Sequence, residues 1–184
     1  MGILAFGINH KSASVDLRGR IAFAPEIVVE SLQAAAVAIG AVEIALLSTC
    51  NRTEIYLQGE VTDQQVLDWL AETKGLDVQE LQSCYYCHRD QHAIRHMICV
   101  ASGLDSLVLG EPQIFGQIKS AYSVGREAGT VASELNQAFQ QAFGAAKRVR
   151  SETAIGQNPV SVAYASVSLA EQIFADLKNA HALL

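Results

Sequence analysis

Four short segments in the first ninety residues have the hydrophobic pattern of β-strands. Residues 3–9 and 42–47 are apolar runs that end at polar turns, as buried strands do. Residues 53–58 alternate between polar and apolar side chains, and residues 84–88 suit a polar edge strand.

Two amphipathic helices separate these strands. The first begins at Pro25 and ends at Gly40, because proline is tolerated in the first turn of a helix and glycine often ends one. The second begins at Thr62 and Asp63 and ends before Gly75. The resulting order, βαββαβ, predicts a ferredoxin-like unit.

From residue 90 onward the apolar positions follow helical spacing only. Helices are predicted over residues 90–101, 114–127, 132–152 and 160–178. The predicted fold class is therefore α+β, with a ferredoxin-like βαββαβ subdomain followed by a helical subdomain. We place them at residues 1–88 and 89–158, with residues 159–184 as a helix that leads out of them. Residues 182–184 start an apolar run and stop, so we expect the chain to be part of a larger protein.

Composition narrows the class of protein. Half of the 184 residues are hydrophobic and 17% are charged, as in soluble globular proteins. The net charge of -6 argues against a broad phosphate-binding surface, although contact with one RNA end is compatible with it. The N-terminus does not resemble a signal peptide, and no apolar run approaches the ~20 residues of a membrane span. We expect a cytoplasmic protein with no membrane partner and with reduced cysteines.

Cys50 is the strongest candidate for chemistry. It follows a predicted buried strand in a polar turn, between Thr49 and the donors Asn51 and Arg52. A neighbouring guanidinium favours the reactive thiolate, and donors of this kind stabilise an oxyanion. The sequence predicts a nucleophile of acyl transfer, and the alternative is an inert thiol in a hairpin.

Other clusters have weaker interpretations. Residues 84–88 spell the Cys-x-x-Cys-His pattern of haem attachment, which belongs to exported proteins. His88, His92, His96 and Cys99 would share one helix face and suit zinc, or they form a polar face with one functional histidine. The basic residues Lys147, Arg148 and Arg150 form a solvated face or touch a single phosphate. No glycine-rich dinucleotide motif is present.

Three motifs resemble the glutamyl-tRNA reductase family. They are residues 7–11, residues 47–54 around Cys50, and residues 100–114, and the resemblance continues in register over the whole chain. Ser14 and Gly19 depart from the family pattern, where proline and glutamate are usual. These departures affect only the loop after the first strand.

The resemblance implies an activity and a set of site residues. The family reduces glutamyl-tRNA(Glu) to glutamate-1-semialdehyde with NADPH, the first step of C5 tetrapyrrole (porphyrin, haem) biosynthesis. The residue matching Cys50 forms a thioester, and the one matching His96 is important for activity, as either acid or base. Arg52 suits the glutamyl carboxylate and Glu111 the α-ammonium group. The implied substrate contacts are Thr49, Asn51, Arg52, Ser106, Glu111, Pro112, Gln113 and Gln117.

The resemblance also implies what lies elsewhere. We expect the NADPH site and a helical homodimerisation domain in a C-terminal part beyond this chain, and neither a cofactor nor a metal on the chain itself. The chain would then perform only the thioester-forming half of the reaction. A downstream aminomutase or a regulatory protein is an expected partner. The alternative function is a regulatory module of the same pathway that binds a partner or haem, with Cys84, Cys87 and His88 as haem ligands.

Overall fold

The protein is built around a four-stranded antiparallel sheet, seen in a computed structural model that describes residues 2–156. The strands are β1 (Ile3–Asn9), β2 (Glu43–Ser48), β3 (Arg52–Gln58) and β4 (Tyr86–Arg89). Their order, β2-β3-β1-β4, confirms the ferredoxin-like prediction.

Four helices belong to the first part of the chain: α1 (Val15–Ile21), α2 (Val28–Ile39), α3 (Asp63–Lys74) and α4 (Val78–Gln82). A 3-10 turn at Pro25–Ile27 leads into α2, and Gly40 ends it in the left-handed conformation. Thr62 and Gln65 form a capping box at the start of α3. The periodicity did not predict α1 and α4, because helices of seven and five residues are too short to show a repeat.

Three longer helices follow: α5 (Asp90–Ser102), α6 (Gln113–Glu127) and α7 (Ser133–Glu152). Each lies within one residue of its predicted bounds. The helix predicted over residues 160–178 lies outside the described residues.

The sheet is covered on both faces. Leu4, Phe6 and Ile8 of β1 belong to a core formed with α1–α4, whereas Ala5 belongs to a second core formed with α5, α6 and α7. The polar residues that alternate along β3 are therefore inside the protein.

Val15–Ile39 is long and apolar enough to cross a membrane by length and composition alone. The segment is not one helix, because the backbone is extended at Ala22 and Ala24 between α1 and α2. Helices of seven and twelve residues fall well short of the ~20 that a membrane span requires.

Glu43 of β2 fixes the start of α7. Its buried carboxylate accepts hydrogen bonds from the backbone N–H groups of Ala132 (2.8 Å), Glu134 (2.9 Å) and Leu135 (2.9 Å). These donors have no partner within the helix, and the helix dipole favours a negative charge there. The contact anchors the helical part to the sheet.

Candidate active site

The turn between β2 and β3 is rigidly built. Thr49 N–H donates to the Arg52 carbonyl (2.8 Å), and the Thr49 hydroxyl oxygen accepts from the backbone N–H groups of Asn51 (3.2 Å) and Arg52 (3.1 Å). The Thr49 side chain thus satisfies the donors of the turn from within.

Cys50 lies exposed at the tip of this turn. The Arg18 guanidinium donates to the Cys50 carbonyl (3.3 Å), and His10 N–H donates to the Asn51 carbonyl (2.9 Å). The thiol is therefore accessible while its backbone is held by two neighbouring segments, as an efficient nucleophile requires.

Glu54 is the centre of a buried polar cluster beneath the turn. Its carboxylate accepts from Arg52 Nη1 (2.6 Å), Tyr86 Oη (2.5 Å) and the Tyr56 hydroxyl, and it contacts His96 Nε2 at 2.9 Å. Because Glu54 is an acceptor, Nε2 carries the proton and Nδ1 is the nitrogen of His96 left for other chemistry.

Gly7 makes room for this arrangement. In the sheet register it stands between Glu54 of β3 and Tyr86 of β4. A Cβ atom at Gly7 would lie 2.6 Å from the Tyr86 ring, so the ring crosses β1 only because residue 7 has no side chain.

Asp105 joins the cluster from the loop after α5. Its carboxylate accepts from Arg52 Nη2 (3.1 Å) and from the Lys11 ammonium group. At the end of the same loop, Arg150 donates to the carbonyls of Gly110 and Glu111 (3.3 Å each). The loop is thus pinned at both ends.

The electrostatics of the cluster keep its carboxylates ionised. Burial alone would raise the pKa of Glu54, but the hydrogen bond and charge of His96 and the charge of Arg52 hold it well below its usual value. Burial opposes ionisation of Asp105 too, and Lys11 and Arg52 outweigh it and lower the pKa of Asp105. Burial raises the pKa values of Tyr56 and Tyr86, and Glu54 raises them further, so both hydroxyls remain donors.

Arg52, predicted to bind the glutamyl carboxylate, is already paired within the protein. Its side chain is only 2% exposed, and both terminal nitrogens are paired within the protein, with Glu54 and Asp105. A substrate carboxylate can take the two-pronged contact only by displacing Asp105, since Glu54 is fully buried. The predicted contact between Arg52 and the glutamyl carboxylate therefore requires Asp105 to move.

Of the other predicted residues, Ser106 and Gln117 lie near the cluster or the turn, whereas within the described part of the chain residues 111–113 have no hydrogen-bonded link to the turn. The Ser106 hydroxyl is buried with no hydrogen-bond partner among residues 2–156, next to Asp105 and therefore near the cluster. Gln117 lines a cavity together with Ser48, beside the turn. Glu111, Pro112 and Gln113 form the junction between the loop and α6, as predicted, and no hydrogen bond among the described residues links their side chains to the turn.

The structure does not support the haem and zinc interpretations, because their candidate ligands do not converge on one point. Cys84 is buried in the core, and Cys87 and His88 point to opposite faces of β4. His88 belongs to the strand and not to the helix, so the four-residue repeat does not continue through it. Its ring nevertheless lies close to that of His96, tilted by 33°, with centroids 4.8 Å apart.

Glu54, His96 and Asp105 place potential metal ligands within 4.8 Å of one another. Both carboxylates, however, are already paired with Arg52, and Lys11 adds a second positive charge. An ion-pair network explains this cluster without a metal.

Some residues that hold the Cys50 turn or form the cluster around Glu54 were not predicted from the sequence to belong to the site. They are His10, Lys11, Arg18, Glu54, Tyr56, Tyr86 and Asp105. One signal was present in the sequence. Alternation places Arg52, Glu54 and Tyr56 on the same face of β3, and polar residues on a face that helices cover must be paired with one another.

Comparison with known proteins gives a consistent result. Residues 6–153 match the family model described as "Glutamyl-tRNAGlu reductase, N-terminal domain". The whole chain is 57% identical to the glutamyl-tRNA reductase of Ectopseudomonas mendocina and 59% identical to that of a Pseudomonas fluorescens strain. It spans 43% and 44% of those two proteins, less than half of their length.

The fold also resembles a solved structure, the glutamyl-tRNA reductase from Methanopyrus kandleri. The TM-score is 0.71 at 31% identity, over 92% of this chain and 39% of that one. The similarity therefore extends from sequence to backbone.

Proposed function

Because the chain belongs to the glutamyl-tRNA reductase family and matches its N-terminal domain, we propose that it forms the acyl-enzyme of that reaction, with Cys50 as the nucleophile. The observation that supports this most directly is an exposed thiol on a turn fixed by Thr49, Arg18 and His10. The substrate in this proposal is glutamyl-tRNA(Glu), and the reaction is the first step towards tetrapyrroles.

The chemistry is a transfer of the glutamyl group from oxygen to sulfur. The Cys50 thiolate attacks the carbonyl carbon of the ester that joins glutamate to the terminal ribose. The bond from that carbon to the ribose oxygen breaks, the oxygen takes up a proton, and the glutamyl group remains on Cys50 as a thioester. An aminoacyl ester is sufficiently activated for this attack.

The cluster beneath the turn offers a site for the glutamyl side chain. Asp105 already places a carboxylate between Arg52 and Lys11, and its side chain is 19% exposed. We infer that the substrate carboxylate takes this position and Asp105 turns away. The ion pair with Asp105 explains how the buried Arg52 side chain stays charged before the substrate binds.

NADPH supplies the hydride that completes the reduction to glutamate-1-semialdehyde in the full reaction. Residues 2–156 do not fit a dinucleotide, because their sheet is antiparallel and lacks a glycine-rich strand–loop–helix unit. The proposal for these residues therefore ends at the thioester, and the nucleotide site is assigned to another part of the protein.

Transfer of radioactive glutamate from charged tRNA tests the nucleophile. We expect wild type and Cys99→Ser, a control at a half-buried thiol, to acquire hydroxylamine-labile label. Cys50→Ser should lose this thioester. Hydroxylamine-labile label on another cysteine of Cys50→Ser would show that Cys50 is not the nucleophile.

A further inference from the structure

A groove runs along the outer edge of β2 and opens beside the Cys50 turn. This β2–α6 groove has a cavity volume of about 180 Å³, and Leu46, Leu47 and Ser48 form its floor. Its walls come from α6 and from the chain around the start of α2: Phe23, Val28, Gln117, Ser120, Ala121 and Val124. Pockets for drug-sized ligands have ~300–1,000 Å³, so this groove suits a single ring system.

The floor of the groove offers main-chain hydrogen-bonding groups. Thr49 N–H points towards β3, whereas Ile44 N–H points away and donates to the Thr130 carbonyl (2.8 Å). Because the direction alternates along a strand, Leu46 also presents its N–H and C=O away from β3. Among residues 2–156 these two groups have no hydrogen-bond partner.

A second groove lies on the other side of α6. This α6–α7 groove has a cavity volume of about 630 Å³ and is lined by Lys119, Ser120, Tyr122, Ser123, Gln140, Phe143 and Lys147. It holds two exposed ammonium groups and no carboxylate, in a chain whose net charge is -6. Neither lysine forms an ion pair within the part of the chain that the structure describes.

Ser120 lines both grooves, so they flank the same turn of α6. Starting from Cys50, the apolar β2–α6 groove with its main-chain groups, unpaired within residues 2–156, comes first, and the positively charged α6–α7 groove follows. Single-stranded RNA is bound by this combination, in which bases enter apolar slots and phosphates follow cations.

We propose that the single-stranded 3′ end of the substrate RNA crosses α6, with its terminal adenine in the β2–α6 groove and its preceding phosphates between Lys119 and Lys147. This rests on the proposed function, because the ester attacked by Cys50 is carried by the terminal adenosine. Ser48 precedes Cys50 by two residues, at most about 7 Å along the chain, so a base held at Ser48 lies close to the thiol. Adenine presents a donor beside an acceptor, which matches the N–H and C=O that Leu46 turns away from β3.

The phosphate contacts are tested by the salt dependence of Cys50 labelling with subsaturating glutamyl-tRNA(Glu). Each lost contact to single-stranded RNA lowers the slope of log rate against log salt by about 0.7. Between 50 and 200 mM salt, we expect the double variant Lys119→Gln/Lys147→Gln to lose about sevenfold less activity than wild type.

Arg148→Gln is the matched control, because Arg148 neighbours Lys147 on α7 but pairs with Glu152 outside the groove. We expect it to keep the wild-type slope. A wild-type slope in the double variant would refute the path while leaving the thioester proposal intact. Absence of label from wild type would instead refute the proposed function.

The base contact is tested by protection of Cys50 from iodoacetamide. We expect an uncharged oligoribonucleotide ending in CCA to protect at lower concentration than one ending in CCU. Equal protection by both would show that the β2–α6 groove does not read adenine.

Discussion

Glu54 connects β3, β4 and α5 through one carboxylate. Arg52, Tyr86 and His96 converge on it from these three elements, and the group is fully buried. Buried charges are tolerated only when they are paired, so each of these side chains depends on the others for its position.

We expect Glu54→Gln to destabilise the fold by about 3–5 kcal/mol, because Arg52 would lose its buried counter-ion. Urea unfolding measures the loss. Glu152→Gln is the control, since its partner Arg148 is 76% exposed and a solvent-screened surface pair contributes little to stability. Similar losses in the two variants would contradict a structural role for Glu54.

At the residue scale, the sequence pointed to Cys50 as a candidate nucleophile, but not to the side chains that support its turn. Cys50 stands out because it is a thiol among donors in a turn. Glu54 does not stand out, because a glutamate at an alternating strand position is equally compatible with solvent. Only the packing of α5 and α7 against that face shows that Glu54 must be paired.

At the scale of elements, the long helices and the strands were predictable because each carries a full hydrophobic repeat. Helix α1 was missed, although it supplies Arg18, which holds the Cys50 carbonyl. Its seven residues end at Ile21, and so short a helix shows no clear amphipathic repeat. The support of the Cys50 backbone by Arg18 thus depends on a helix that hydrophobic periodicity does not reveal.

The start of α7 is predicted to depend on β2. We expect Glu43→Gln to reduce the free energy of unfolding by about 1–2 kcal/mol, because a neutral amide interacts less with the helix dipole and accepts fewer of the three hydrogen bonds.

Thermal or urea unfolding measures this effect, with Glu30→Gln, an exposed position on α2, as the control. A loss no larger than that of Glu30→Gln would show that the cap is dispensable.

At the scale of the whole molecule, stability should fall in two stages as the pH is lowered. Burial and the nearby charge of Arg52 lower the pKa of His10 in the fold. Burial and the nearby charge of His96 lower the pKa of His88 in the same way. The unfolded chain therefore binds protons first, and stability decreases below about pH 6.5.

The second stage comes from the carboxylates. Glu54 and Asp105 have depressed pKa values in the fold, so their contribution is complete above about pH 4.5 and is lost as the pH falls further. Urea midpoints from pH 8 to pH 3 test both stages. His88→Asn should weaken the first stage, and a constant midpoint between pH 8 and pH 5 would contradict it.

The cap on α7 also has a consequence for synthesis. Glu43 and Leu135 are 92 residues apart, and ribosomes add about 5–20 residues per second. For roughly 5–20 seconds after Glu43 is made, the nascent chain lacks the start of α7, which the Glu43 carboxylate caps. A ribosome that stalls late in this interval, before α7 is made, leaves Ala45, Leu47 and Tyr56 open to chaperones, because these residues share a core with α7.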